Sequence, residues 1–155
     1  MKGRIIACGA LTGALLIADR LTKAWAAQVL IAGRIPVIPH VLSFAYTENT
    51  GAAFGLFSGM RILNGIMTLI LLIGLAAFVW QNRRAKGMLA SGAIVMAGGI
   101  SHLYDRLLGR NIIDFIKLEF INFPIFNVAD ICICCGAVLL AAAYILDERK
   151  RSNKA

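Results

Sequence analysis

Charge is scarce in this sequence, and the shortage decides its class. Charged residues fill 15% of the 155 positions and apolar residues 59%, and a mean hydropathy of +0.78 excludes a chain that stays soluble. Acids are scarcer still, at eight against 16 Lys and Arg, which leaves a formal charge of +8. Aromatic residues are few, at 8%, and no stacking stripe accompanies the basic positions, so the charge is not the footprint of a nucleic-acid binder. Internal repeats and low-complexity tracts are lacking, so residues 1–155 read as a single membrane-embedded domain. The segment Ile62–Trp80 has no charge at all and cannot be a soluble amphipathic helix.

What is present in place of charge is a set of long apolar runs. Four segments, at about 4–27, 62–80, 88–106 and 128–146, reach the roughly 17–25 residues a helix needs to cross a bilayer core. The expected fold is all-α integral membrane with four transmembrane helices. The first run has a rival reading as a signal peptide, with Lys2 and Arg4 ahead of it and Ala24-Trp25-Ala26 as an exit. Asp19, Arg20 and Lys23 fall between apolar core and exit, which fits cleavage poorly and favours a retained anchor.

The basic residues then set the topology. Lys2 and Arg4, then Arg83, Arg84 and Lys86, then Arg149, Lys150, Arg151 and Lys154 flank the runs, and with an even number of spans they all fall on one side. The positive-inside rule makes that side cytoplasmic and puts both termini there. The stretches 28–61 and 107–127 are expected outside. Asp19, Asp105, Asp114 and Asp130 gather at or near this outer face. An ionisable group near bilayer depth needs a partner or a task, and Asp114 and Asp130, flanking one short loop, suggest an acid/base pair.

The outer stretches differ in kind. Pro36, Pro39 and the turn Asn49-Thr50-Gly51 rule out a helix over 34–57, and the β-branched and aromatic content suits short strands. A small β-rich platform between helices 1 and 2 is expected to lie on the outer membrane surface, because open strand edges cannot sit in lipid; it could hold an extended peptide by strand addition. The short outer loop between helices 3 and 4 carries Phe120, Phe123 and Phe126, which suit the interface.

Cys132, Cys134 and Cys135 resemble a metal cluster only at first sight. On a helix, 134 points about 100° from 135, and a fourth ligand is lacking; Cys8 lies near the other membrane face. These read as small buried residues. Ile5-Ile6-Ala7-Cys8 looks like a lipidation site, but no apolar region of the needed length precedes it.

Five motifs in order carry a family resemblance: Asp19-Arg20-Leu21-Thr22-Lys23, Asn49-Thr50-Gly51-Ala52-Ala53-Phe54, Leu103-Tyr104-Asp105-Arg106, Ile113-Asp114-Phe115, and the run from Phe123 to Asp130. Together they resemble the lipoprotein signal peptidases (signal peptidase II), aspartic endopeptidases of the bacterial cytoplasmic membrane. The resemblance implies cleavage of a prolipoprotein signal peptide just before a diacylglyceryl-modified cysteine, with Asp114 and Asp130 catalytic and the site at the outer face. It implies no metal or organic cofactor, diacylated prolipoproteins and membrane lipids as partners, and inhibition by a globomycin-type cyclic peptide.

Supporting roles have alternatives. Asn127 would bond the pair or the substrate, or simply cap the fourth helix. Asp105 and Arg106 would orient the site or form an ordinary helix-end pair. Asp19 lines the site by analogy, while its i,i+4 spacing to Lys23 suits a structural pair. Asn49 would reach the pair from the first loop, Gly51 serves turn geometry, and Ala129 matches the motif beside Asp130. In one departure, His102 stands where the family usually has Asn, after Ser101 in place of Gly. A hydrogen-bonding or packed histidine is expected there, since the pair already supplies acid and base. An inactive relative and a small proton-coupled transporter are the rival functions; the acids form no relay toward the cytoplasm, which argues against transport.

Overall fold

A computed structural model describes residues 1–51 and 59–153. Four helices are present among them: α1 (Lys2–Val29), α2 (Arg61–Gln81), α3 (Met88–Leu107) and α4 (Val128–Ser152). Three strands form one antiparallel sheet in the order β1 (Ile35–Ile38), β2 (Leu42–Asn49), β3 (Ile112–Leu118). The part of the expected platform at residues 52–57, including Ala52-Ala53-Phe54, lies outside the described residues.

Apolar side chains face outward on the helices to an extent no aqueous protein tolerates. Ile6, Ile17 and Leu21 on α1, Ile62, Ile70 and Leu71 on α2, and Val138 and Leu146 on α4 are all exposed. Three helical segments, Lys2–Ala32, Arg61–Gln81 and Val128–Ser152, are long and apolar enough to cross a membrane. α3 does not reach that apolarity, and its sequence gives the reason: it is rich in Gly, Ala and Ser and closes on His102, Asp105 and Arg106. α3 is the central helix, packed against α1, α2 and α4. Its small residues allow this. A methyl group on Gly99 would stand 2.6 Å from Leu72 of α2, and one on Gly98 would run into the carbonyl oxygen of Ala129 on α4. Close approach of backbones through small residues is how helices associate without a hydrophobic driving force in lipid.

The sheet sits at the end of the bundle where α3 stops and α4 starts. Just past the helix, the chain turns off α3 at Gly109, whose positive φ of 69° lets Arg110 N–H donate back to the Asp105 carbonyl. An aromatic cluster seats the sheet on α1: Trp25 meets Phe44 of β2 at 5.3 Å and Phe115 of β3 at 6.2 Å between ring centroids, both edge-to-face. The sheet differs from its expected form in two respects. The hairpin turn lies at Pro39-His40-Val41, and the third strand comes from the loop between α3 and α4, pairing Thr47 with Asp114 and Asn49 with Ile112. That pairing joins the two outer loops into one unit and carries Asp114 on a strand instead of an irregular loop.

Candidate active site

Asp114 reaches the site from β3 and Asp130 from the first turn of α4, and both line one cavity of about 510 Å³. The link between them is Asn127, which is wholly buried. Its side-chain Nδ2 donates to Asp114 Oδ1 at 2.5 Å and to the Ile113 carbonyl at 3.2 Å. Its Oδ1 accepts from Asp130 N–H at 3.1 Å, and its own backbone N–H donates to Asp130 Oδ2 at 2.9 Å. The second pair is a capping box, in which cap and third residue satisfy each other's backbone donors. Helix cap and aspartate partner are therefore one residue in one geometry.

A second amide approaches from β2. Asn49 Oδ1 accepts from Gly51 N–H at 2.9 Å, an Asx-type turn, and this orients its Nδ2 toward Asp114 Oδ2 at 3.2 Å. Burial, helped by the charge of Asp130 and opposed by the two amides, pushes the Asp114 carboxyl from its ordinary 3.8 up to about 6. His102 on α3 faces Asp130 from the other side, with Nε2 3.0 Å from Oδ1. Arg106, one turn further along α3, donates to Thr68 Oγ1 at 2.8 Å and to the Gly51 carbonyl at 3.2 Å, tying α2 to the turn that follows β2.

Asp19, Lys23 and Asp105 do not line this cavity. They form a buried ionic cluster between α1 and α3. Lys23 Nζ lies 2.9 Å from Asp19 and 3.0 Å from Asp105, Arg20 pairs with both acids, and Ser101 donates to Asp19. Two acids and two bases balance there. Asp19 has a further bond: its Oδ1 accepts from Ala129 N–H at 3.0 Å. The start of α4, and Asp130 with it, is thus capped twice, once by Asn127 and once from α1. Ala129 contributes its backbone, and its complete burial leaves no space for a larger side chain.

Below the polar groups the cavity is apolar. Thr68, Leu71, Leu72 and Leu75 on α2, Val95 and Gly99 on α3, and Ile133 and Cys134 on α4 line it. From Val95 to Arg106 it runs along about 16 Å of α3 at 1.5 Å per residue. Apart from Cys134, these wall residues were not singled out by sequence, and Ser101 was noted only as the neighbour of His102. Their spacing carries a signal in hindsight, since 68, 71, 72 and 75 share one helix face and so do 95, 99, 102 and 106. The cysteines divide, with Cys132 buried and Cys134 and Cys135 exposed, and among the described residues no group of three His, Cys, Asp or Glu could hold a metal ion.

The arrangement suits proton transfer at a polar patch above an apolar cleft, and similarity to known proteins gives it a family. The family described as "Signal peptidase (SPase) II" matches residues 11–146. A lipoprotein signal peptidase of Clostridium novyi (strain NT) is 36% identical over 140 residues, 87% of this chain and 94% of the relative. One of Pelotomaculum thermopropionicum is 37% identical over 142 residues, covering 90% and 92%. A solved structure described as a bacterial membrane enzyme superposes with a TM-score of 0.85 at 31% identity, covering 96% of this chain and 92% of that one. These matches and the outward apolar faces identify a bacterial multi-pass membrane protein and a protease, and the chain belongs to the signal peptidase II family.

Proposed function

We propose that this protein is an aspartic endopeptidase that removes the signal peptide of prolipoproteins, cleaving before a diacylglyceryl-modified cysteine. The observation that carries this reading is the convergence of Asp114 and Asp130 on one cavity through Asn127. Two carboxyls in a largely dry site do not both ionise readily and share a proton. The ionised member takes a proton from water as its oxygen attacks the scissile carbonyl carbon. The protonated member gives its proton to the carbonyl oxygen. When the tetrahedral adduct collapses, the C–N bond breaks, the first carboxyl returns its proton to the leaving amine, and the second recovers its own from the adduct hydroxyl. No charge is left over at the end of the cycle.

The apolar cleft supports the lipid part of the substrate. Its leucine, valine and isoleucine walls suit acyl chains, and two of its walls, α2 and α4, carry exposed apolar faces. On this reading α3 is a fourth span despite its lower apolarity, both termini are cytoplasmic, and the aspartates work at the outer face. A globomycin-type cyclic peptide is expected to compete for the same cavity.

The test is a gel-shift cleavage assay of purified protein on a diacylated prolipoprotein. Asp114→Asn and Asp130→Asn are each expected to abolish cleavage while the protein stays folded in detergent. Wild-type turnover by either variant overturns the proposal.

A further inference from the structure

The two aspartates do not have equal surroundings, and the residue that separates them is His102 on α3. His102 is 7% exposed, with Nε2 3.0 Å from Asp130 Oδ1. Its other ring nitrogen, Nδ1, is buried and meets no hydrogen-bond partner among the described residues. An imidazolium, or the neutral form protonated at Nδ1, would leave a buried N–H donor unmatched there, which is costly. The Nε2–H tautomer leaves only a lone pair at Nδ1, and under-satisfied acceptors are better tolerated than stranded donors.

With Nε2 as donor, both oxygens of Asp130 face obligate donors, since Oδ2 already accepts from the Asn127 backbone N–H. By residue, Asp130 is half-buried whereas Asp114 is buried. Asp130 further sits in the first turn of α4, where the helix dipole favours a negative charge. Lys23 from α1 and Arg106 from α3 act on Asp130 as positive charges and favour its ionised form; the carboxyl that opposes it is Asp114 from β3, and α2 lines this cavity with Thr68 and leucines alone.

We propose that His102 is a positioning residue which, as the neutral Nε2–H tautomer, holds Asp130 as the ionised member of the pair and leaves the proton on Asp114. This rests on the endopeptidase reading and assigns its roles: Asp130 is the base toward water and Asp114 the acid toward the carbonyl oxygen.

Two measurements test it. The chain contains two histidines, so His40→Gln, far from the cavity, leaves His102 as the single imidazole in a 15N-histidine NMR spectrum of the detergent-solubilised protein. The expected spectrum at neutral pH is that of the Nε2–H tautomer, with the Nε2 resonance shifted by Asp130→Asn. An imidazolium, an Nδ1–H tautomer, or a resonance indifferent to Asp130→Asn overturns the assignment. In the cleavage assay, His102→Leu is expected to lower kcat at least about 10-fold with little change in KM, and His102→Asn, which restores a donor, to recover most of the loss. Wild-type kcat in His102→Leu overturns the role; should that variant not fold, the NMR result on the folded His40→Gln protein decides. The two readings fail separately, because cleavage by Asp114→Asn or Asp130→Asn removes the dyad whatever the imidazole spectrum shows.

Discussion

The side-chain amide of Asn127 donates to Asp114 Oδ1 at 2.5 Å, joining the cap of one helix to a strand thirteen residues earlier. Because the same side chain accepts from Asp130 N–H, one buried amide bridges the two aspartates. Asn127→Ala is expected to lower the unfolding free energy by about 1 kcal/mol through the lost cap, and to lower kcat far more than that loss of stability explains. Thermal unfolding in detergent and initial rates on the same preparations separate the two effects; an equal fall in folded fraction and rate would reduce Asn127 to a cap.

The Asp114 carboxyl, raised from 3.8 to about 6 by burial and by Asp130, gives a signed dependence on pH. Between those values the folded protein binds more protons at this position than the unfolded chain, so stability falls as pH rises through that window. The contribution is complete below the unfolded value and gone above the folded one. Unfolding midpoints between pH 4 and pH 7 are expected to lose this trend in Asp114→Asn. The free-enzyme activity profile is expected to decline on its alkaline side as the pair gives up its shared proton.

Gly98 sets how closely α3 approaches the start of α4. Gly98→Ala places a methyl group against the Ala129 carbonyl and 2.7 Å from Ile133, so the turn bearing Asp130 has to move. Activity is expected to fall by at least about 10-fold, as a misplacement near 1 Å can cost more than that. Gly74→Ala on α2 is the control: an added methyl there meets nothing within 4 Å, and the exchange is expected to be neutral or to stabilise by about 0.5–1 kcal/mol.

The ionic cluster of α1 and α3 is balanced, so removing one member leaves a buried charge unmatched. Asp105→Ala is expected to destabilise by roughly 3–5 kcal/mol, since both Lys23 and Arg20 lose their acidic partner on α3 and keep the Ser101 hydroxyl there. Asp19→Asn, which keeps an acceptor for Ala129 N–H, is expected to retain more activity than Asp19→Ala at comparable stability. Equal activities in those two variants would detach Asp19 from the placing of α4.

The sequence offered Asp114 and Asp130 as a pair because carboxylates near bilayer depth are improbable without a task and two of them flank one loop; the structure brings both to one cavity. The helices were legible as apolar runs, although α4 continues past Leu146 through its charged end to Ser152. β3 was not legible, because its consecutive apolar residues have no period-two pattern and its partner strand lies more than sixty residues away. Asn127 offered cap or partner as alternatives, and no spacing rule announces that one amide can be both. The bond from Asp19 to Ala129 spans 110 residues, and such a cap from another helix leaves no local mark. The platform's residues suited strands, but which loop would supply each strand depends on packing around Trp25, Phe44 and Phe115.

The cleft between α2 and α4 has a kinetic consequence on the proposed reading. Both walls present apolar surface outward, so encounter with a lipidated substrate takes place within the plane of the bilayer. Turnover should then follow the mole fraction of substrate among the surrounding amphiphiles, and adding empty micelles at fixed bulk concentration should slow the enzyme by surface dilution.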